Sequence, residues 1–277
     1  MTSLSSIDAT VVVSVDELRA VHRLAGLCLP RFVVADDAED PRVDAAAVRG
    51  LVARELAVLD PGVSLDNGVL VTGPLAALLA PCRAARWIAE IDVEASGVFE
   101  RHAVIAGAAG AAVVVTERAG GLVSLRLTAA SLPDEVSRLS RVDEVDAPAP
   151  ASPFTVRVEA HRDADELALS GAGATAVQVL TAAGVAEPAA RAWITAVCGR
   201  RCAAAVTVAR NCGAGPDGPF EVSEVRWLVA GDGTGWRVRA DEPAEHNGDL
   251  SPDGALSVLT PVTGNELRAA LGLVRAG

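Results

Sequence analysis

The fold is decided by residues 192–240, which read AWITAVCGRRCAAAVTVARNC, then GAGPDG, then PFEVSEVRWLVAGDGTGWRVRA. β-Branched and aromatic residues cluster in this stretch, as they do on the half-buried surface of a sheet. Gly231-Asp232-Gly233 is a tight-turn signal, because glycine adopts positive φ without steric cost. After the turn, Trp236 and Val238 alternate with arginines, which is the period of a strand. We therefore predict consecutive antiparallel strands that begin near Trp193.

The rest of the chain repeats one order of elements. Residues 122–142 and 256–274 each read as a strand, a turn and a short helix, and each follows a run of strands. Helical periodicity also marks residues 17–27, 44–59 and 174–183. We expect one domain made of two similar halves, 10–142 and 154–277, with a Pro/Ala-rich linker at 143–153. This pattern predicts an α+β fold.

Composition excludes several classes of function. The 277 residues include 24 basic side chains, and all of them are arginine, so a lysine Schiff base and a P-loop lysine are both absent. The net charge of −12 argues against nucleic-acid binding and against an anionic membrane surface. The apolar run Ala103–Val115 is too short to cross a bilayer. With five cysteines and no secretion signal, we expect a cytoplasmic protein with free thiols and no membrane insertion.

Three motifs offer alternative chemistry. The loop at Gly171 and Gly173 fits G-x-G-x-x-A, so a nucleotide-binding enzyme of unrecognised class is the alternative reading, although such a site needs a buried strand before the loop. His161, Asp163 and Asp165 could together provide metal ligands. The favoured interpretation of this stretch is a solvated acidic turn.

The cysteines at 198, 202 and 212 could form a redox group, because Arg200 and Arg201 could lower a thiol pKa. Buried cysteine packed as a small apolar residue is the favoured interpretation. We expect no catalytic residue, no metal and no cofactor.

The N-terminal stretch carries a pattern known from one family of proteins. Its sequence, VVVSVDELRAVHRLAGLCLP (11–30), predicts a hydrophobic strand that leads into an acidic, leucine-containing helix. In this it resembles the start of the EspG family of type VII (ESX) secretion-associated proteins. The likeness extends over nearly the whole chain, and its other segments are VRGLVARELAVLD (48–60), LAALLAPCRAARWIAEIDV (75–93), residues 101–127, LPDEVSRL (132–139) and GRRCAAAVTVAR (199–210), with Trp227 and Gly235 beyond. It is a pattern of apolar residues and element order.

The resemblance implies a central, largely antiparallel β-sheet with two helical bundles and quasi-two-fold related halves. It also implies a cytosolic chaperone, not an enzyme, that binds the exposed helical tip of a PE–PPE-like heterodimer, keeps it soluble and directs it to export. A structural or regulatory interaction protein without an export role is a further alternative. No nucleic acid is expected as a partner, and a homodimer is allowed.

In that family the partner meets the sheet, the C-terminal bundle and the loop between the second and third strands, which by order is Val93–Arg101 here. The physical argument agrees, since a broad sheet with an apolar face can hold an amphipathic helical hairpin. The residues predicted to contact the partner are Val93, Glu94, Val98, Phe99 and Arg101 in the loop, and Phe220, Val225 and Trp227 in the sheet.

Overall fold

The computed structural model describes residues 10–34, 40–59, 69–107, 110–211, 220–241 and 255–272. The chain has an α+β fold with a large antiparallel sheet, as predicted. It divides into two compact units: the first comprises Met1–Asp92, Glu100–Leu139 and Thr207–Ser223, and the second comprises Val93–Phe99, Ser140–Val206 and Glu224–Gly277. Among the described helices, none has both the length and the apolar character needed to span a bilayer.

The elements alternate between short helices and strands in the N-terminal part of the chain. Up to residue 139 they are β1 (Thr10–Ser14), α1 (Val15–Ala25), α2 (Arg31–Val34), α3 (Pro41–Ala53), β2 (Ala57–Leu59), β3 (Val69–Val71), α4 (Gly73–Leu79), β4 (Ala85–Ala95), β5 (Val98–Gly107), β6 (Ala112–Arg118), β7 (Leu122–Thr128) and α5 (Leu132–Leu139).

The remaining elements follow in the order β8 (Ala147–Pro148), β9 (Phe154–Arg157), α6 (Val158–Leu169), α7 (Gly173–Ala182), α8 (Glu187–Cys198), β10 (Arg200–Asn211), β11 (Phe220–Ala230), β12 (Thr234–Asp241), β13 (Leu256–Val262) and α9 (Gly264–Ala270). Strands β4, β5, β10 and β11 each contribute residues to both units.

The first unit packs α1, α3 and α4 with a sheet in the order β1-β7-β6-β5-β4. Helix α1 begins with a capping box in which the Ser14 N–H donates to Glu17 Oε2 at 2.8 Å and the Glu17 N–H donates to Ser14 Oγ at 3.1 Å. It ends at Gly26, whose φ of 60° suits glycine. The buried core of this unit includes Leu18 from α1 and Ile105 from β5.

The second unit packs α6, α7 and α8 with strands in the order β10-β11-β12-β13-β9, and β8 pairs in parallel with β12. Two tryptophans organise its core. Trp193 of α8 packs edge to face against Trp236 of β12, with ring centroids 5.5 Å apart. The indole Nε1–H of Trp193 donates to Asp165 Oδ1 at 2.8 Å. The alternation predicted for β12 is confirmed, because Trp236 is buried and Arg237 lies on the other face.

The structure corrects the start of the predicted strand run. Trp193 lies in helix α8 and not in a strand, and the strand begins only at Arg200. Pro188 occupies the first turn of the helix, where its missing N–H costs nothing, and four alanines follow within the helix. The predicted acidic turn at residues 161–165 is likewise part of helix α6.

Two other boundaries differ from the sequence-based expectation. The helix predicted over 44–59 ends at Ala53, because Glu55 adopts a positive φ of 58° and residues 57–59 form β2. The linker predicted at 143–153 contains β8, whose Ala147 pairs with Thr234, and the whole stretch belongs to the second unit. The division of the chain into two similar halves stays a prediction.

Candidate partner-binding site

The predicted loop Val93–Arg101 is a tight hairpin between β4 and β5. Its turn consists of Ser96 and Gly97 alone, with φ of 51° and 75°. Two consecutive residues with positive φ are the conformation that joins antiparallel strands without splaying them. The predicted loop is therefore mostly strand, because a two-residue turn suffices to reverse the chain.

The end of this hairpin exposes two apolar side chains. Val98 and Phe99 are 57% and 56% exposed, respectively. Neighbouring residues of a strand point to opposite faces, so both faces of this strand end are accessible. The described pairing of β5 with β6 begins later, at His102. We call Ser96–Glu100, all of them exposed, the hairpin tip.

The base of the hairpin is fixed by packing and ion pairs. Val93 is completely buried, so in this structure it supports the hairpin from the interior. Glu94 forms an ion pair with Arg200 of β10. Arg101 forms two ion pairs, with its Nε 3.5 Å from Asp92 Oδ1 and its Nη1 3.6 Å from Glu117 Oε2. Of the five loop residues predicted to contact a partner, Val98 and Phe99 therefore form the accessible apolar surface.

The three predicted sheet residues lie in different surroundings. Val225 is buried and Trp227 is only 2% exposed. Within the described part of the chain, the buried Trp227 Nε1–H has no hydrogen-bond partner. Phe220 is half-buried at the start of β11 and lines a cavity. Val225 and Trp227 are therefore interior residues in this structure, and Phe220 is the accessible one.

The cavity beside Phe220 belongs to the first unit and was not predicted from the sequence. Its volume is about 360 Å³, within the size range of ligand pockets. Its wall is mostly apolar and comes from the end of α1, the segment before α2, and strands β4, β10 and β11; it includes Leu29, Ile88, Ala209, Phe220 and Val222. Small side chains on one face of β10, such as Ala209, leave room for it.

Glu90 of β4 brings a carboxylate to this apolar cavity. Its Oε1 accepts the backbone N–H of Arg31 at 2.7 Å, and within the described chain no donor reaches its other oxygen. Burial raises the pKa of Glu90 above its ordinary value, although the N–H and the charge of Arg31 oppose that shift. The alternation of β4 gave no reason to separate Glu90 from its acidic neighbours Asp92 and Glu94.

The loop at Gly171 and Gly173 is a turn between two helices. Helix α6 precedes it, and Gly171 adopts a φ of 89° before α7 begins at Gly173. A dinucleotide site needs a buried strand before the glycines, so that the helix N-terminus can face the pyrophosphate. The nucleotide-binding interpretation of this loop is therefore wrong.

His161 takes part in a buried polar cluster of the second unit. Its Nδ1 lies 3.0 Å from Ser257 Oγ, and its Nε2 lies 3.3 Å from Asp165 Oδ2. The same three residue types form a serine hydrolase triad, but there the serine faces Nε2 and the aspartate faces Nδ1, the reverse of the arrangement here. Ser257 is also only 4% exposed, so its hydroxyl is not accessible to a substrate. Burial lowers the pKa of His161, and the cluster ties α6 to β13.

Neither the metal nor the redox interpretation gains support from these elements. Asp163 is exposed, and no group of three His, Cys, Asp or Glu side chains in the described residues is placed to hold a metal ion. Burial raises the pKa of Cys202 to about 11, and this outweighs the opposing charges of Arg141 and Arg201, of which Arg201 was predicted to lower the pKa. Cys198 is exposed, and Cys212 lies outside the described residues.

Comparison with known proteins shows a likeness of fold. No family profile and no curated protein matches the chain by sequence. The chain is similar to the solved structure of the Mycobacterium tuberculosis type VII secretion system chaperone EspG5, determined in complex with a PE25–PPE41 dimer. The TM-score is 0.57 at 13% sequence identity, over 96% of this chain and 95% of that chain. The chain therefore has an EspG-like fold.

Proposed function

We propose that this chain is a cytosolic chaperone of a type VII (ESX) secretion system. It binds the exposed helical tip of a PE–PPE-like substrate pair, keeps the pair soluble and directs it to export. The observation that carries this proposal is a likeness of fold: nearly the whole chain is similar in structure to a chaperone that was solved in complex with such a pair. The work of the protein is then binding, and no covalent step is part of it.

The hairpin tip supplies the contact that this function requires. Side chains as exposed as Val98 and Phe99 cost free energy in water, and covering them with apolar helical side chains recovers about 25 cal/mol per Å² of apolar surface. Aromatic residues of this kind are frequent anchors of protein interfaces. Within the second unit, buried Val93 and the ion pair between Glu94 and Arg200 anchor the strand that leads into the tip, which reduces the ordering that accompanies binding.

The test is a calorimetric titration with purified PE–PPE-like heterodimers, beginning with PE25–PPE41. We expect at least one pair to bind the wild-type chain in a one-to-one complex. The double variant Val98→Ser, Phe99→Ser is expected to bind that pair at least about 30-fold more weakly, because interface anchors of this kind contribute roughly 2 kcal/mol or more.

Leu169 provides a matched control for this titration. It is an apolar residue of the same unit with a similar exposed fraction, 54%, at the end of α6. Leu169→Ser is expected to bind like the wild type. A double variant that keeps wild-type affinity, or a panel in which no pair binds, contradicts the proposal. Light scattering on the wild type and on the double variant, each without a partner, shows whether two copies associate and whether that association needs the tip.

A further inference from the structure

The cavity of the first unit combines an apolar wall with a carboxylate, and only one oxygen of that carboxylate accepts a hydrogen bond from the described residues. Leu29, Ile88, Phe220 and Val222 supply apolar surface around it. Glu90 reaches the same space, and its single hydrogen-bond donor among the described residues is the backbone N–H of Arg31. The other carboxylate oxygen is not among the buried, unpartnered atoms of the described residues, so water reaches it. An occupant that displaces this water must bring a donor of its own, or the oxygen is left unpaired.

We propose that this cavity receives an apolar side chain of the partner together with an adjacent arginine or lysine, which Glu90 binds. The inference rests on the proposed function and names the chemistry of the helical tip that this chain selects. The charge of the occupant follows from Glu90, the acidic side chain among the residues that line the cavity. Arg31 and His22 line it too, but neither side chain forms an ion pair with Glu90, and the chain as a whole carries a net charge of −12.

The cavity is suited to bind an apolar side chain that has a cation beside it, and not an apolar side chain alone. A purely apolar tip that filled it would remove water from Glu90 and leave one carboxylate oxygen unpaired, which is unfavourable. A tip with a cation beside its apolar residue gives that oxygen a charge-assisted hydrogen bond. Glu90 therefore discriminates between helical tips that are equally apolar, as a specificity-determining residue.

The test uses small probes that fit the cavity and needs no protein partner. The probes are 4-phenylbutylguanidine, the neutral 4-phenylbutylurea and the anionic 5-phenylvalerate, and binding is followed by NMR titration of the full chain. We expect the guanidine to bind at least about tenfold more tightly than the urea, and the valerate to bind most weakly. In Glu90→Gln the advantage of the guanidine over the urea is expected to fall below about twofold.

Two further variants make the result specific to the cavity. Glu55→Gln removes an exposed carboxylate of the same unit, and it is expected to leave all three affinities unchanged. Phe220→Ala removes apolar wall, and it is expected to weaken the guanidine and the urea by similar factors. Equal affinities of the guanidine and the urea for the wild-type chain, absence of binding by either, or a guanidine preference that survives in Glu90→Gln overturns the inference. None of these outcomes depends on the hairpin tip, so the chaperone proposal stands or falls separately.

Discussion

Replacing Trp227 with alanine is expected to lower the free energy of unfolding by about 3–5 kcal/mol, the usual loss when a large aromatic side chain leaves a core. Trp227 lies on β11, opposite Arg237 of β12, and is almost completely buried. Removing its indole leaves a void that the paired strands on this part of the sheet are poorly able to close. Chemical denaturation followed by circular dichroism measures the change.

The matched variant Trp227→Phe separates packing from hydrogen bonding. Within the described residues the indole N–H has no partner, so phenylalanine sacrifices volume but no hydrogen bond. We expect Trp227→Phe to be clearly more stable than Trp227→Ala. A Trp227→Ala protein with wild-type stability and impaired partner binding would contradict the interior position and restore Trp227 as a contact residue.

Replacing Glu135 with glutamine is expected to lower the free energy of unfolding at neutral pH by about 2 kcal/mol. The carboxylate on α5 is 3% exposed and accepts hydrogen bonds from Arg126, Arg138 and the Thr128 hydroxyl, the last at 3.0 Å. Breaking a buried ion pair costs about 3–5 kcal/mol, and the partial exposure of both arginines reduces that figure here.

The pH dependence of this difference has a defined sign. Burial alone raises the pKa of Glu135, but the hydrogen bonds from Arg138, Arg126 and Thr128 outweigh it and place the pKa below its ordinary value of 4.5. A depressed carboxyl pKa stabilises the folded state above the unfolded pKa, and this contribution is lost as the pH falls through the folded pKa. The gap between wild type and Glu135→Gln should therefore narrow below about pH 4.5.

An exposed ion pair serves as the control for Glu135. Glu187 and Arg191 lie 2.6 Å apart on α8, and both side chains are largely exposed. Glu187→Gln is expected to change stability by at most about 0.5 kcal/mol. A Glu135→Gln protein that is equally stable, or a gap that widens in acid, would show that the buried cluster does not stabilise the fold as described.

The sequence was sufficient where local signals and burial agree. The strands β4 to β7 alternate or run apolar, glycine-containing segments separate them in the sequence, and the structure forms a strand at each of these stretches. Periodicity failed at α6 and α8 because alanine satisfies a helix and a strand pattern equally well. Trp193 was assigned to a strand for that reason, although Pro188 before it was a signal for a helix start.

The candidate site was harder to predict because exposure depends on tertiary packing. The alternation of β4 places Val93 on the apolar face of that strand, and Val93 is buried, but no pattern in the sequence showed that Val98 is exposed at the end of the same hairpin. Trp227 and Phe99 are both aromatic residues on strands, yet only Phe99 is accessible. The cavity around Glu90 was missed because its wall comes from segments far apart in the chain, from His22 to Val222.

The central claim is that the hairpin tip contacts the helical end of a substrate pair, and site-specific photo-crosslinking tests it most directly. Benzoylphenylalanine is placed at position 99 or, as the matched exposed position, at 169, and the chain is irradiated with the PE–PPE-like pair that binds it. We predict a crosslink from position 99 to the helical tip of the pair and none from position 169. A crosslink from 169 alone, or none from either position in a formed complex, would contradict the account.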